Sequence, residues 1–150
     1  MTGEGGSTAV TPLDHARRCA EVMWRGDAAS RALGMSLDEV GPGSATVSMP
    51  VRPDMVNGWD LCHGGLIASL ADSAFAVACN SRGAVTVASG FSVEFLEPGR
   101  LGDVLVAEAR EVSLRGRSGV YDVTVRAGGR VIAEFRGRSR SLDRRIEPPA

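Results

Sequence analysis

The feature that most constrains this chain is residues 56–80, a loop that leads into a long helix-forming run. Nearly every residue from Leu66 to Cys79 is apolar or a good helix former, so the pattern predicts a helix that is buried on most of its circumference. Only Ser69, Asp72 and Ser73 interrupt the run, and their spacings of three and four residues place them on one face. The helix therefore has a single narrow polar face.

Asp72 is the residue on that face that most needs an explanation. An ionised carboxylate in such a helix loses hydration, which raises its pKa unless the face opens onto a partner, water or a ligand. Pairing with an arginine of another segment is one interpretation. Catalysis is the other, because the helix begins with His63-Gly64-Gly65. Free N–H groups at a glycine-rich helix start lie at the positive end of the helix dipole and can bind an oxyanion.

The spacing of Gly64 and Asp72 restricts how they can act together. They lie eight residues apart, which is about 12 Å along one helix axis. One reacting carbonyl cannot reach both. If both act on one carbon, the Gly64 amide must come from one chain and Asp72 from an antiparallel helix of a second chain, as in a two-fold homodimer.

The remaining sequence predicts an α+β fold. One helix over Pro12–Gly26 and a short helix over Asp27–Leu33 precede segments with the partial alternation and glycine-containing gaps typical of strands. We expect the last four strands to form an antiparallel meander, and a sheet of about six strands to wrap around the central helix. The predicted strands are residues 35–40, 44–51, 84–95, 103–114, 118–127 and 130–141.

Length predicts one domain, at residues 11–142 of the 150. A disordered N-terminus at residues 1–10 and a flexible tail at residues 143–150 are expected to flank it.

Composition narrows the function classes. The formal charge of −1 gives no case for binding nucleic acid or a membrane, and all 17 basic residues are arginine, which excludes lysine chemistry. Cys19, Cys62 and Cys79 lack CxxC spacing, so we expect neither a disulfide framework nor a metal site. They are typical of reduced thiols in a cytoplasmic protein.

Several motifs of the chain occur together in one enzyme family. They are Asn57-Gly58, His63-Gly64-Gly65, residues 70–74, 78–80, 91–96 and 119–123. With these motifs the chain is similar to the hotdog-fold acyl-CoA thioesterases of the phenylacetic acid degradation type. That resemblance implies an antiparallel sheet around a long helix, a dimer with one continuous sheet that often pairs into a homotetramer, and hydrolysis of an acyl-CoA with no cofactor beyond the coenzyme A of the substrate.

The resemblance also implies roles for individual residues. Asp72 would be the catalytic carboxylate, as nucleophile or general base, and the Gly64 N–H would polarise the thioester carbonyl. Asn57 would orient the water or the thioester, and Ser73 would hold the water. His63 either takes part or packs to hold the Gly64 turn, and Asn57-Gly58 is alternatively only a turn.

Contacts with the CoA part of the substrate are implied as well. Arginines at a strand turn are the candidates for its phosphates, although turn arginines are often simply solvated. Ser89 and Gly90 would contact the pantetheine arm through the backbone, or form an ordinary strand. The implied substrate-binding residues are Gly65, Ser89, Gly90, Arg115, Arg117 and Ser118.

Two other functions stay open from the sequence. A hotdog dehydratase or hydratase would need His63 and Asp72 to move protons on the acyl carbons, whereas a glycine-flanked helix start fits carbonyl polarisation better. A non-catalytic acyl-CoA-binding module would have no need of Asp72. Aryl-acyl and medium-chain acyl groups are both compatible with the sequence.

Overall fold

The computed structural model describes residues 8–146. Two helices come first, a 17-residue helix lies in the middle, and six strands complete the fold. A single 3-10 turn, Pro53–Met55, precedes the middle helix. The elements are α1 (Pro12–Gly26), α2 (Ala28–Ala32), β1 (Ser36–Gly41), β2 (Ser44–Pro50), α3 (Gly64–Asn80), β3 (Ala84–Phe95), β4 (Val104–Arg115), β5 (Ser118–Ala127) and β6 (Arg130–Arg145).

The strands form one antiparallel sheet in the order β1-β2-β4-β5-β6-β3. The expectation of a four-strand meander was wrong for β3, because β3 pairs with β6 and not with β4. Two-residue turns join β4 to β5 and β5 to β6, which forces those strands to be neighbours. The link between β3 and β4 spans residues 96–103, and a link of this length can cross from one sheet edge to an inner strand.

Helix α3 packs against the sheet, as the sequence predicted. Its buried residues include Leu70 and Phe75, which belong to the same core as Tyr121 and Phe135 from β5 and β6. Gly137 in β6 makes room for the helix, because a Cβ there would lie 2.8 Å from the Phe75 ring. The small residue in the strand is therefore needed for close packing of α3.

The first helix begins where the sequence indicated. The Thr11 hydroxyl accepts a hydrogen bond from the Asp14 N–H at 3.1 Å, and the Asp14 carboxylate accepts one from the Thr11 N–H at 3.3 Å. This reciprocal cap precedes Pro12 at the first helical position, so the start of α1 is determined locally.

The predicted flexible tail was wrong for residues 143–146. Strand β6 continues to Arg145, which pairs with Ala84, and the Ile146 N–H donates to the Gly83 carbonyl at 2.8 Å. Backbone pairing with the start of β3 orders this segment although it carries no apolar signal. The disorder predicted for residues 1–7 and the flexibility predicted for residues 147–150 concern segments outside the described residues, and residues 8–10 precede α1 without regular structure.

The three cysteines are free and buried. None of the helices within residues 8–146 has the length and hydropathy that crossing a membrane requires.

Candidate active site

The start of α3 is held by backbone contacts on both sides. The His63 N–H donates to the Met55 carbonyl at 3.0 Å, and the Cys62 N–H donates to the Gly99 carbonyl at 2.7 Å. His63 occupies the N-cap position, but its exposed side chain does not cap the helix. The Gly64 and Gly65 N–H groups donate to no acceptor within residues 8–146. The helix start therefore offers two free donors at the positive end of its dipole.

The two glycines differ in their surroundings. A Cβ at Gly64 would lie 2.9 Å from Cζ of Phe95, the last residue of β3, whereas a Cβ at Gly65 would meet nothing within 4 Å. Gly64 is thus the position where absence of a side chain permits close approach, here to an aromatic ring. The space beside Gly65 is open.

Asn57 closes the loop before α3. Its Oδ1 accepts hydrogen bonds from the Trp59 N–H at 2.9 Å and the Leu61 N–H at 3.1 Å. The Asn57 N–H in turn donates to the Leu61 carbonyl at 2.8 Å. These bonds support the turn role considered for Asn57-Gly58. The Asn57 amide NH₂ has no acceptor within the described residues.

Asp72 lies half-buried on α3, and its carboxylate has neither a hydrogen bond nor an ion pair in the part of the chain that the structure describes. Pairing with an arginine, the structural interpretation, is therefore not observed within residues 8–146. Burial raises the pKa of the Asp72 carboxyl, and the negative charge of Asp27 raises it further. Both effects disfavour the ionised form and make the carboxylate a stronger base when it forms.

The Ser73 hydroxyl contacts a residue that the sequence did not point to. Its Oγ lies 2.7 Å from Oγ of Ser30 in α2, and the Ser30 hydroxyl donates to the Asp27 carboxylate at 2.7 Å. Asp27 lies three residues before Ser30, which is the spacing of a helix cap, so the sequence could have predicted this cap. The contact of Ser30 with Ser73 in α3 could not be predicted, because the two serines are 43 residues apart.

Gly64 and Asp72 are not brought together within one chain. Both belong to the same continuous helix, so the spacing of about 12 Å expected from the helical rise is retained. A shared reacting carbon still requires a second copy of the helix.

Apart from Gly65, which lies in the first turn of α3, the implied substrate-binding residues lie on the sheet or in its β4–β5 turn. The Ser89 hydroxyl donates to the Arg138 carbonyl at 3.1 Å at an irregularity in the β3–β6 pairing, next to Gly90. Arg117 forms an ion pair with Asp143.

Arg115 has no ion pair within residues 8–146, and Ser118 is exposed. The Arg117 carbonyl accepts a hydrogen bond from the Ser141 N–H. Ser141 in β6 is paired with Thr86 in β3. The Thr86 N–H in turn donates to the side chain of Asn80, the last residue of α3. This turn is therefore at the opposite end of α3 from Gly64 of the same chain.

The edge of the sheet formed by β3 is long and apolar. Strand β3 has 12 residues and pairs on one side only in the described structure. The Phe91 ring stacks on Phe135 at 4.8 Å, yet it remains partly exposed. An unprotected edge of this length favours pairing with another strand. The exposed apolar residues along the edge and just beyond it are Val87, Phe91, Phe95 and Leu96.

Comparison with known proteins gives a consistent result. The thioesterase superfamily profile matches residues 60–134. Escherichia coli K12 acyl-coenzyme A thioesterase PaaI is 43% identical over 82% of this chain and 89% of its own length. The structure of E. coli PaaI superposes with a TM-score of 0.89, at 39% identity, over 91% of this chain and all of that one.

Two more distant relatives are also proteins that act on or bind an acyl-CoA. Human acyl-coenzyme A thioesterase 13 is 31% identical over 80% of this chain and 89% of its own length. A Streptococcus mutans protein solved with bound acetyl-CoA has a TM-score of 0.71 and 26% identity, over 74% of this chain and 90% of that one.

Proposed function

Since this chain belongs to the thioesterase superfamily, it is a thioester hydrolase of the acyl-CoA class, and we propose that Asp72 and the Gly64 amide carry out its reaction. The fold is the hotdog fold expected from the sequence. The observation that carries the proposal is the unpaired, half-buried Asp72 carboxylate in an otherwise apolar helix that begins with free glycine N–H groups. Aryl-acyl and medium-chain acyl groups are the proposed substrate range.

Asp72 is proposed to act on the thioester carbonyl in one of two ways. As a nucleophile it attacks the carbonyl carbon, CoA leaves as the thiolate, and water hydrolyses the resulting anhydride. As a general base it takes a proton from water, which attacks the same carbon; the C–S bond then breaks, and CoA leaves as the thiolate and receives that proton. In both routes the carbonyl oxygen becomes negative, and the Gly64 N–H stabilises that charge. The raised pKa of Asp72 suits both roles. The proposed reaction uses water and no added cofactor.

The proposed site is shared between two chains. An antiparallel second helix places Gly64 of one chain opposite Asp72 of the other, because they are about 12 Å apart in one chain. The free β3 edge supports this arrangement, since pairing of two such edges continues the sheet and covers Phe91 and Phe95. A homodimer, or a dimer of dimers, is therefore the proposed assembly.

Supporting roles follow from the contacts around the helix start. Asn57 retains a free amide donor that can orient water or substrate, and the open space beside Gly65 can admit the thioester. His63 is exposed at the N-cap, within the same loop. Of the two turn arginines proposed for the CoA phosphates, Arg115 is the better candidate because Arg117 is paired. Ser118, Ser89 and Gly90 complete the proposed contact set.

The test is thiol release from a panel of aryl-acyl and medium-chain acyl-CoA substrates by wild type and Asp72→Asn. We expect Asp72→Asn to lower kcat by several decades with little change in KM or fold. Ser69→Ala, which changes the same helix face one turn away, serves as the matched control and should stay near wild type. Near-normal turnover by folded Asp72→Asn would overturn the proposed role of Asp72. No thiol release from any substrate by wild type would favour a binding module.

A further inference from the structure

Asp27 occupies a fixed position at the junction of α1 and α2. Its N–H donates to the Trp24 carbonyl at 3.2 Å, and its carbonyl accepts from the Arg31 N–H at 3.3 Å. It is both the C-terminal cap of α1 and the N-terminal cap of α2. Backbone bonds on both sides therefore determine where the Asp27 carboxylate lies.

A chain of hydrogen bonds runs from this carboxylate to α3. Asp27 accepts from the Ser30 N–H at 2.9 Å and from the Ser30 hydroxyl at 2.7 Å. The Ser30 hydroxyl has one proton, which goes to Asp27, so in its 2.7 Å contact with Ser73 it must be the acceptor. Ser30 is only 3% exposed, so water does not compete readily for these bonds. The Ser73 proton consequently points toward α2, and the oxygen of Ser73, the residue after Asp72 in α3, keeps its capacity to accept a hydrogen bond.

Neither the Asp27 nor the Asp72 carboxylate is paired with a cation among the residues that the structure describes. The Arg31 guanidinium, the nearest one in sequence on α2, donates to the carbonyls of Trp24 at 3.0 Å and Arg25 at 2.7 Å. Within residues 8–146 neither Asp27 nor Asp72 forms an ion pair.

Other titratable groups near Asp72 do not offset the charge of Asp27. Cys79 on α3 also interacts with Asp72, but burial raises the pKa of its thiol to about 12, so the thiol is neutral. Among the charged groups on the elements packed against α3, Asp27 is the one whose charge shifts the pKa of Asp72 in the described structure.

We propose that Asp27 is a positioning residue for Asp72: through Ser30 it fixes the orientation of the Ser73 hydroxyl, and it holds a second, unneutralised negative charge near the Asp72 carboxylate. The inference rests on the proposed catalytic role of Asp72. Ser73, oriented in this way, accepts a hydrogen bond from the water that Asp72 activates. The Asp27 charge makes the Asp72 carboxylate a stronger base, since it adds to the effect of burial on that pKa.

The test is the pH profile of kcat/KM for Asp27→Asn. Asparagine is an equally good helix cap, so this variant removes the charge and keeps the α2 start. Without the charge the pKa of Asp72 falls, and the acid limb of the profile should move to lower pH. The weaker base should also lower the plateau. Ser30→Ala keeps the charge and breaks the chain, so it should lower kcat about two- to tenfold, the effect of one lost hydrogen bond, without moving the limb.

Asp14→Asn is the matched control. Asp14 also lies at a helix start, capped with Thr11, but its carboxylate does not act on Asp72. Its profile should coincide with that of wild type. If Asp27→Asn does not fold, Asp27→Ser removes the charge while keeping a capping side chain. A folded variant whose acid limb coincides with wild type, and which loses only thermal stability, would show that Asp27 is a structural cap and would overturn the proposal.

Asp72→Asn, measured in parallel, separates this inference from the proposed function. An inactive Asp72→Asn combined with an unmoved limb in Asp27→Asn overturns only the role of Asp27. Wild-type turnover in Asp72→Asn overturns both.

Discussion

Gly64→Pro tests whether a single backbone N–H polarises the substrate carbonyl. Gly64 is the first residue of α3, where proline is tolerated because that N–H has no partner inside the helix. His63 already has ψ 132°, so it lies outside the α region that a following proline disfavours. The substitution should therefore remove the donor and leave the helix start in place.

Gly64→Ala supplies the matched control for steric effects. Alanine adds the same Cβ, which would lie 2.9 Å from Phe95 Cζ, but it keeps the N–H. Both variants therefore carry the same cost of moving the Phe95 ring, about 1–3 kcal/mol for overpacking, and they differ in the N–H alone. Loss of one oxyanion donor lowers kcat by about 10²–10³. The kcat of Gly64→Pro should therefore be lower than the kcat of Gly64→Ala by that factor.

Mixing Gly64→Pro with Asp72→Asn then tests the shared site. In a mixed dimer both lesions fall in one site and the other site is intact, if each site takes Asp72 and Gly64 from different chains. About half of the dimers are mixed after random reassortment, and each has one good site of two, so thiol release should recover to about a quarter of wild type. The presence of folded mixed dimers is checked first by mass spectrometry of differently tagged chains.

Two results would refute the reasoning. Equal kcat for Gly64→Pro and Gly64→Ala would mean that the N–H does not polarise the carbonyl. No recovery in a mixture shown to contain mixed dimers would mean that each site is built within one chain, because every chain then carries a lesion.

Two further predictions concern Asn57 and Asp72. Asn57→Asp keeps the oxygen that accepts from Trp59 and Leu61 and removes the amide donor, so thermal unfolding should match wild type while kcat falls. Unchanged kcat would restrict Asn57 to holding the loop. The pKa of Asp72 is raised above its ordinary 3.8 in the folded protein, so on raising the pH Asp72 ionises in the unfolded chain before it ionises in the folded one. Between these two pKa values the free energy of unfolding of wild type therefore falls as pH rises. Asp72→Asn should therefore gain stability relative to wild type from pH 3.5 to pH 7 in urea unfolding, and a pH-independent difference would contradict this.

The sequence alone determined the elements whose signals are local. The apolar run and the glycine pair predicted α3, and the Thr11-Pro12 start predicted α1 with the observed bounds. The alternation of apolar residues predicted the long strands, because side chains of a strand alternate between its two faces. Asp72 could also be identified from a local signal, since a single carboxylate in an apolar helix is recognisable from the sequence without knowledge of its spatial neighbours.

Only the tertiary structure decided which segments meet. The position of β3 beside β6 depends on the link that crosses the sheet. Residues 143–146 adopt a defined structure because their backbone pairs with the start of β3. The bond between Ser30 and Ser73, like the contact of Phe95 with Gly64, joins residues distant in the chain. Propensity and periodicity act over a few neighbouring residues, whereas these contacts follow from how α2, α3 and the sheet pack together, so no local pattern could encode them.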